Sequence, residues 1–346
     1  SMTLKMNADA VSKALPPQIS SLLGERVKFS ATATRDPEGA FAANELELTS
    51  GSLSASGTAS AQGSDIQANV KGKLGDVSAL SSLAGTPLAG GINFALSASG
   101  PRWAPDFSVS ADSASLTAAG RTVKDIKLSA KGKADIANPS ADVSLTGSAE
   151  EQPLDIRASL VTADGKRSIR GLSLALGDNK VSGDLALDDQ FLPIGTLTLA
   201  VPDIAPLAAL GNQSATGNIN GTIVFAKDGA APNVTINAAS TSIARGELAA
   251  KTITVDALIA NYLKGPAISG TIKADSVTSG STVISGIGID LKRDGDWTNF
   301  SGGATASGIP ATATGRVKIA DGKTSVEIAS GEATVRGIKA AIAEPS

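Results

Sequence analysis

Short stretches of alternating apolar and polar residues run through most of the chain. In one of them Asn93 and Ala95 separate Ile92, Phe94 and Leu96, and the same period of two recurs many times. This period sends successive side chains to opposite faces of a β-strand. Gly, Asn and Asp interrupt the stretches at short intervals, which favours hairpin turns and hence antiparallel pairing. The pattern predicts an all-β fold, a repetitive and mainly antiparallel curved sheet.

A few segments depart from this alternation and predict short helices. Asp76 and Asp203 are suited to be helix N-caps, because leucines three apart follow each of them and a small residue or glycine comes next. The predicted helical ranges are Asp76–Gly85, Asp203–Asn212 and parts of Ala8–Gly24. Each would last about two turns, which is too short for stability without packing.

The chain also contains an internal duplication. The segment that begins at Asp76 aligns without gaps on the one that begins at Asp203, so the register is 203 − 76 = 127 residues. The alignment pairs Gly90 with Gly217, and upstream it slips by one residue. Such repetition is typical of arrays whose units bury their apolar faces against neighbours. We expect a partial unit with an N-terminal helical segment over residues 1–45. Repeat blocks are expected over 46–171 and 172–300, with a partial unit of strands over 301–346.

The composition argues against catalysis and against nucleic-acid binding. The 346 residues include no Cys and no His, which removes the thiol nucleophile, the commonest general base and the commonest metal ligand. We therefore expect a protein that is not an enzyme and has no cofactor or metal site. The net charge is −3, aromatic residues make up 3%, and no basic run stands out. A nucleic-acid partner is not expected, because it would require a clustered cationic face.

The apolar side chains on one face of each strand can be accommodated in two ways. The sheet closes into a sandwich, barrel or solenoid and covers itself, or it forms an open trough whose aliphatic lining binds a ligand. Periodicity alone does not choose between them. For the trough, the candidate lining consists of residues that hold the apolar phase. These are Ile92, Phe94, Leu96, Leu197, Leu199, Val201, Ile219, Ile223, Val234, Ile236, Ile253 and Val255.

A recurring set of motifs resembles a known family. The helical segments DVSALSSLAG and DIAPLAALGN precede strands such as GNINGTIVF, PDFSVSADS and PNVTINAAS, and LALGDNKVSGDLALDD and LPPQISSLLGERVKFS accompany them. In this order the motifs resemble the TamB family of the translocation and assembly module, within the AsmA-like superfamily. The resemblance covers most of the chain, and its specificity lies in the order of degenerate motifs.

The resemblance implies an elongated, taco-like groove in the periplasm of a Gram-negative bacterium. The parent protein would be anchored in the inner membrane, with the anchor outside the present sequence. Phospholipid acyl chains would move along the groove toward the outer membrane. The family is also linked to outer-membrane protein and autotransporter assembly with an outer-membrane barrel partner, reached through other parts of the parent protein. This favours the open trough.

Two rival functions remain open from the residues. One is a secreted adhesin or passenger-like β-solenoid with a closed core and no lipid cargo. The other is a polysaccharide-processing β-helix enzyme, which is disfavoured because no cluster of acidic and Arg residues recurs.

Overall fold

The computed structural model describes residues 1–11, 26–320 and 322–342. Strands account for 75% and helices for 4% of the described residues, and every sheet pairing in that part of the chain is antiparallel. The predicted all-β class, with antiparallel strand pairing and a few short helices, is confirmed. The chain divides into two compact units, Ser1–Gly177 and Asp178–Ser346. The finer block boundaries at residues 45, 171 and 300 stay predictions.

Unit 1 contains strands β1 to β12. They are β1 (Met2–Val11), β2 (Arg26–Arg35), β3 (Phe41–Thr49), β4 (Leu53–Gln62), β5 (Asp65–Leu74), β6 (Leu88–Gly90), β7 (Ile92–Pro101), β8 (Asp106–Ala118), β9 (Arg121–Lys133), β10 (Ser140–Ala149), β11 (Gln152–Ala163) and β12 (Lys166–Leu176). Neighbours in sequence pair, except that β5 pairs with β7 while the short β6 pairs with β8. The described pairings of this unit run from β1 to β12 without returning to β1.

Unit 2 contains strands β13 to β24. They are β13 (Asn179–Leu187), β14 (Pro193–Val201), β15 (Thr216–Gly217), β16 (Ile219–Asp228), β17 (Ala231–Arg245), β18 (Leu248–Ala260), β19 (Ala267–Ser279), β20 (Thr282–Asp294), β21 (Trp297–Ala306), β22 (Ile309–Ala320), β23 (Lys323–Val335) and β24 (Ile338–Ala341). Here β14 pairs with β16, and the two-residue β15 pairs with β17.

Two of the predicted helical segments are present, shorter than predicted. A 3-10 turn (Val77–Leu80) leads into α1 (Ser81–Ala84), and α2 spans Ala205–Leu210. The Asp76 carboxylate caps the 3-10 turn by accepting a hydrogen bond from the backbone N–H of Ser78 at 2.9 Å. The Asp203 carboxylate accepts from Ala205 N–H at 2.9 Å, although the N-cap position of α2 belongs to Ile204.

The first residues of the segment that was predicted to be helical in part form a strand. Positions 8–11 belong to β1, which pairs with β2 over its whole length. The reason lies in the alternation of Met2, Leu4 and Met6 with polar residues, which continues the period of two through Ala8 and Ala10. Residues 12–24 of the predicted segment lie outside the described residues.

The strand register repeats with the 127-residue offset of the sequence. Leu74 lies opposite Ile92 in unit 1, and Val201 lies opposite Ile219 in unit 2. In each unit a helix and a very short strand follow the same strand, and three long strands come next. The predicted duplication is therefore present in the order of elements and in their hydrogen-bonded register.

The buried core of each unit is thin. The described hydrophobic residues that are buried include Leu74 and Leu176 in unit 1 and Leu185 and Val201 in unit 2, and many of the others are alanines. Small aliphatic layers replace the large aromatic side chains of an ordinary core, in agreement with the 3% aromatic content.

Candidate functional site

In unit 2 one face of the sheet is apolar across ten strands. Residues directly opposite each other in an antiparallel pair lie on the same face, so the register identifies the members of a row. One row contains only Gly, Ala, Leu, Ile and Phe. It runs through Gly183, Leu197, Ile223, Ile236, Ala257, Gly270, Leu291, Phe300, Gly315 and Ile328.

Unit 1 has an equivalent row across eleven strands. It runs through Ala8, Phe29, Leu48, Ala55, Gly72, Phe94, Ala111, Leu128, Leu145, Ile156 and Leu174. No side chain in either row is polar. We call the face of each sheet that carries its row the apolar face, and the opposite face the polar face.

Burial alternates with the same period as the side chains. Along β14 Leu197 and Leu199 are half-buried and Val201 is buried, whereas Thr196 and Thr198 on the polar face are exposed. Strand β5 shows the same alternation over its whole length. Helices make up only 4% of the described residues and can cover little of the apolar face. Along β5 and β14 most side chains of this face are accordingly half-buried rather than buried.

The predicted lining residues fall on the apolar faces. The register of β14, β16, β17 and β18 places all nine of the unit 2 candidates on one face. Val201 and Val234 are buried, at 4% and 9% exposure, and the other seven are half-buried. In unit 1 Ile92, Phe94 and Leu96 share the apolar face of β7, with Leu96 the most exposed at 42%. Whether these residues contact a lipid stays a prediction.

The apolar face extends beyond the predicted set. In β20 Ile289 and Leu291 continue it, and in β23 Ile328 does so. In unit 1 Leu128 and Leu145 belong to the same row as Phe94. All these residues lie in alternating stretches, so the period that identified the predicted set was sufficient to find them.

Two phenylalanines on the apolar face lie over glycines. A Cβ built on Gly72 would lie 2.5 Å from the Phe94 ring, and one built on Gly315 would lie 2.6 Å from the Phe300 ring. Each pair is directly opposite on neighbouring strands. Because glycine has no Cβ, the phenylalanine ring has room to lie close to the backbone of the neighbouring strand. The ring therefore adds apolar area to the face without rising far above the sheet.

The polar face carries hydroxyl, amide and charged side chains. In unit 1 a cleft of about 520 Å³ crosses β3 to β8, and its lining includes Ser56, Thr58, Asn69 and Ser97 of this face as well as Val70 and Leu96 of the apolar phase. In unit 2 the Arg316 guanidinium lies 4.3 Å from the centre of the Trp297 ring and pairs with Glu327 at 2.6 Å. Trp297 thus takes part in local packing.

Two acidic residues between strands, Asp188 and Glu150, accept hydrogen bonds. Asp188 accepts from the backbone N–H groups of Gln190 and Leu192 and forms an ion pair with Lys227 at 2.5 Å. The Lys227 ammonium, followed by the Leu192 N–H, lowers the pKa of Asp188 below its usual value. Glu150 pairs with Arg121 at 3.1 Å. Within the described ranges no three acidic side chains are grouped so that they could hold a metal ion.

Comparison with known proteins leaves the family open. No protein-family model and no curated protein matches the chain. The resemblance to the TamB family therefore stays a prediction from sequence motifs. None of the helices in the described part of the chain combines the length and the apolar character that crossing a membrane requires.

Proposed function

We propose that the apolar faces bind phospholipid acyl chains and carry them across successive strands. The observation that supports this is the uninterrupted apolar row in each unit. Adjacent strands are about 4.8 Å apart, so the eleven-strand row of unit 1 follows the sheet for about 48 Å. One leaflet of a bilayer has a hydrocarbon depth of about 15 Å. The row is therefore long enough to keep an acyl chain in contact while the chain moves along it.

Movement of an acyl chain along the row needs no cofactor, because the free energy of burying the chain favours its binding. Burying an acyl chain recovers at most about 0.8 kcal/mol per CH₂, and a half-open face recovers a fraction of this. Because successive positions in a row offer similar aliphatic surface, the free energy of a bound chain changes little from one strand to the next. Small barriers between positions favour sliding. The direction of transport would have to come from outside these two units.

The resemblance to the TamB family supports a location for this activity. We place the protein in the periplasm of a Gram-negative bacterium, as part of an inner-membrane-anchored parent that carries phospholipid toward the outer membrane. A second role in outer-membrane protein and autotransporter assembly, with a barrel partner, rests on the same resemblance.

The alternative, a β-solenoid with a closed core, requires that the apolar face be buried. A closed core would bury the residues of the apolar face, whereas here Leu197, Leu199 and Ile223 are only half-buried. In unit 1 Leu96 is 42% exposed. These exposures favour an accessible face, and lipid labelling can decide between the two.

A photo-crosslinking experiment tests the proposal. A photoreactive residue is placed at Leu199 and, as matched control, at Thr198, its neighbour on the opposite face of β14. A second pair, Ile223 and Thr222 on β16, repeats the comparison one strand away. We expect phospholipid adducts at 199 and 223 and none at 198 and 222, in the purified protein and in cells. Equal labelling within each pair, or no labelling at 199 and 223, would contradict the proposal.

A further inference from the structure

Two adjacent loops of unit 1 expose large apolar side chains. Trp103, in the β7–β8 loop, is 52% exposed, and Ile136, in the β9–β10 loop, is 84% exposed. The two loops touch, because the backbone N–H of Ile136 donates a hydrogen bond to the carbonyl oxygen of Trp103 at 3.2 Å. Single exposed apolar residues are common on protein surfaces. Two of this size on touching loops form a small apolar tip.

Hydrogen bonds hold the tip in a defined shape. The Asp135 carboxylate accepts from the backbone N–H groups of Ala137 at 2.7 Å and Asn138 at 3.0 Å, which closes the turn around Ile136. These bonds, that from Asn138 first, lower the pKa of Asp135, so the turn keeps its carboxylate cap at neutral pH. Below the turn, Ala134 N–H donates to the carbonyl of Pro105 at 2.8 Å. The exposure of Ile136 is thus built into a structured turn.

The corresponding loop of unit 2 repeats the feature. Leu263 lies 263 − 136 = 127 residues after Ile136 and is 58% exposed. Tyr262 and Lys264 flank it, and Tyr262 N–H donates to the carbonyl of Pro232 at 3.1 Å. Pro232 is itself 127 residues after Pro105. The duplication has thus kept an exposed aliphatic residue on this loop, although the residue type has changed from Ile to Leu.

Size and composition indicate the partner. A stable protein–protein interface buries more than about 1,000 Å², and a tip of two or three side chains supplies only a fraction of that area. An aromatic side chain with a polar tip, an aliphatic side chain and a cation suit the boundary between lipid headgroups and acyl chains. The unit 1 tip has Trp103, Ile136 and Arg102, and the unit 2 loop has Tyr262, Leu263 and Lys264.

We propose that these loops are shallow anchors that insert into the interfacial region of a lipid bilayer. Insertion removes the exposed apolar side chains from water while the peptide groups of the turns stay hydrogen-bonded. Trp103, Ile136 and Leu263 lie in loops outside the strands that carry the apolar faces, whereas the Tyr262 ring packs edge-on against Phe225, which lies on the apolar face of β16. The anchors extend the proposed function by giving the protein its own contact with a membrane surface.

Tryptophan fluorescence tests the insertion directly, because the chain has only two tryptophans. In the Trp297→Phe variant Trp103 is the sole reporter, and in the Trp103→Phe variant Trp297 is. Vesicles of phosphatidylcholine, with and without phosphatidylglycerol, are added to each folded variant. We expect a blue shift of Trp103 emission and its quenching by brominated acyl chains, with no change for Trp297. An unchanged Trp103 spectrum with both vesicle compositions would overturn the proposal.

Vesicle co-sedimentation of the full chain tests the aliphatic residues. Ile136→Ser and Leu263→Ser should each weaken partitioning about tenfold, because each removes an apolar side chain from the inserted tip. The control Val283→Ser changes an aliphatic residue of similar exposure, 49%, on strand β20. Equal loss with Val283→Ser, or no loss with either loop variant, would refute the anchors.

Discussion

Three substitutions along β14 measure how open the apolar face is. Leu199→Asp, Val201→Asp and Thr198→Asp each introduce one carboxylate on the same strand. Val201 is 4% exposed, Leu199 is half-buried on the same face, and Thr198 is exposed on the polar face. The chemistry of the change is the same in all three, so their unfolding free energies should differ mainly through the access of water to the new carboxylate.

The three substitutions should lower the free energy of unfolding by clearly different amounts. Val201→Asp forces an unpaired carboxylate into a buried site, which should lower the free energy of unfolding by about 4 kcal/mol or more. Leu199→Asp loses about half of the roughly 1.5–3 kcal/mol that full burial of a leucine provides, and its carboxylate keeps part of its water, so about 1–2 kcal/mol is expected. Thr198→Asp should stay within about 0.5 kcal/mol of the unchanged protein.

Urea unfolding followed by the β-sheet circular dichroism signal measures the three costs. Because the chain has two compact units, each transition is fitted separately, and the transition that the substitutions shift is assigned to unit 2. A cost of Leu199→Asp equal to that of Val201→Asp would show that the apolar face is closed and dry. That result would refute the conduit and support the solenoid.

Two further predictions concern packing and pH. Gly72→Ala should cost about 1–3 kcal/mol because the new Cβ meets the Phe94 ring and a backbone oxygen, whereas Gly288→Ala, with open space around it, should be nearly neutral by thermal unfolding. Asp188→Asn should destabilise by a constant amount between about pH 5 and 8. Because its ion pair with Lys227 lowers the folded-state pKa of Asp188, the difference should close as pH falls below about 4. A difference that persists at pH 2 in urea unfolding would contradict this origin.

Alternation was enough to predict which side chains share a face. The nine lining candidates of unit 2 fell on one face because each strand kept its period of two across the antiparallel register. The duplication was also readable, since Gly90 and Gly217 hold the same place in the two units and both have positive φ, 117° and 129°. A residue other than glycine is strained in that conformation.

Other features have no signal in a single sequence. Ser113 and Ser240 are buried, and each hydroxyl donates to a backbone carbonyl two residues along the chain, that of Ser115 and Ser242 respectively. Nothing distinguishes these serines from exposed ones until the strand pairing is known. The strand over residues 8–11 was missed for a related reason, because a short apolar run fits either period until a neighbouring strand such as β2 pairs with it.

The scarcity of aromatic residues is what an even apolar row requires. A Phe, Tyr or Trp beside an alanine would stand above its neighbours and create a step that an acyl chain must cross. The rows contain three aromatics, and in two of them, Phe94 and Phe300, the opposite residue on the next strand is a glycine over which the ring lies. In the repeat of unit 2 the position equivalent to Phe94 is Gly221, 127 residues later, and the residue opposite it on β14 is Leu199, which is equivalent to Gly72. Side-chain volume is thus exchanged between opposite residues while both faces stay apolar, which is consistent with selection on the surface of the face as well as on its hydrophobicity.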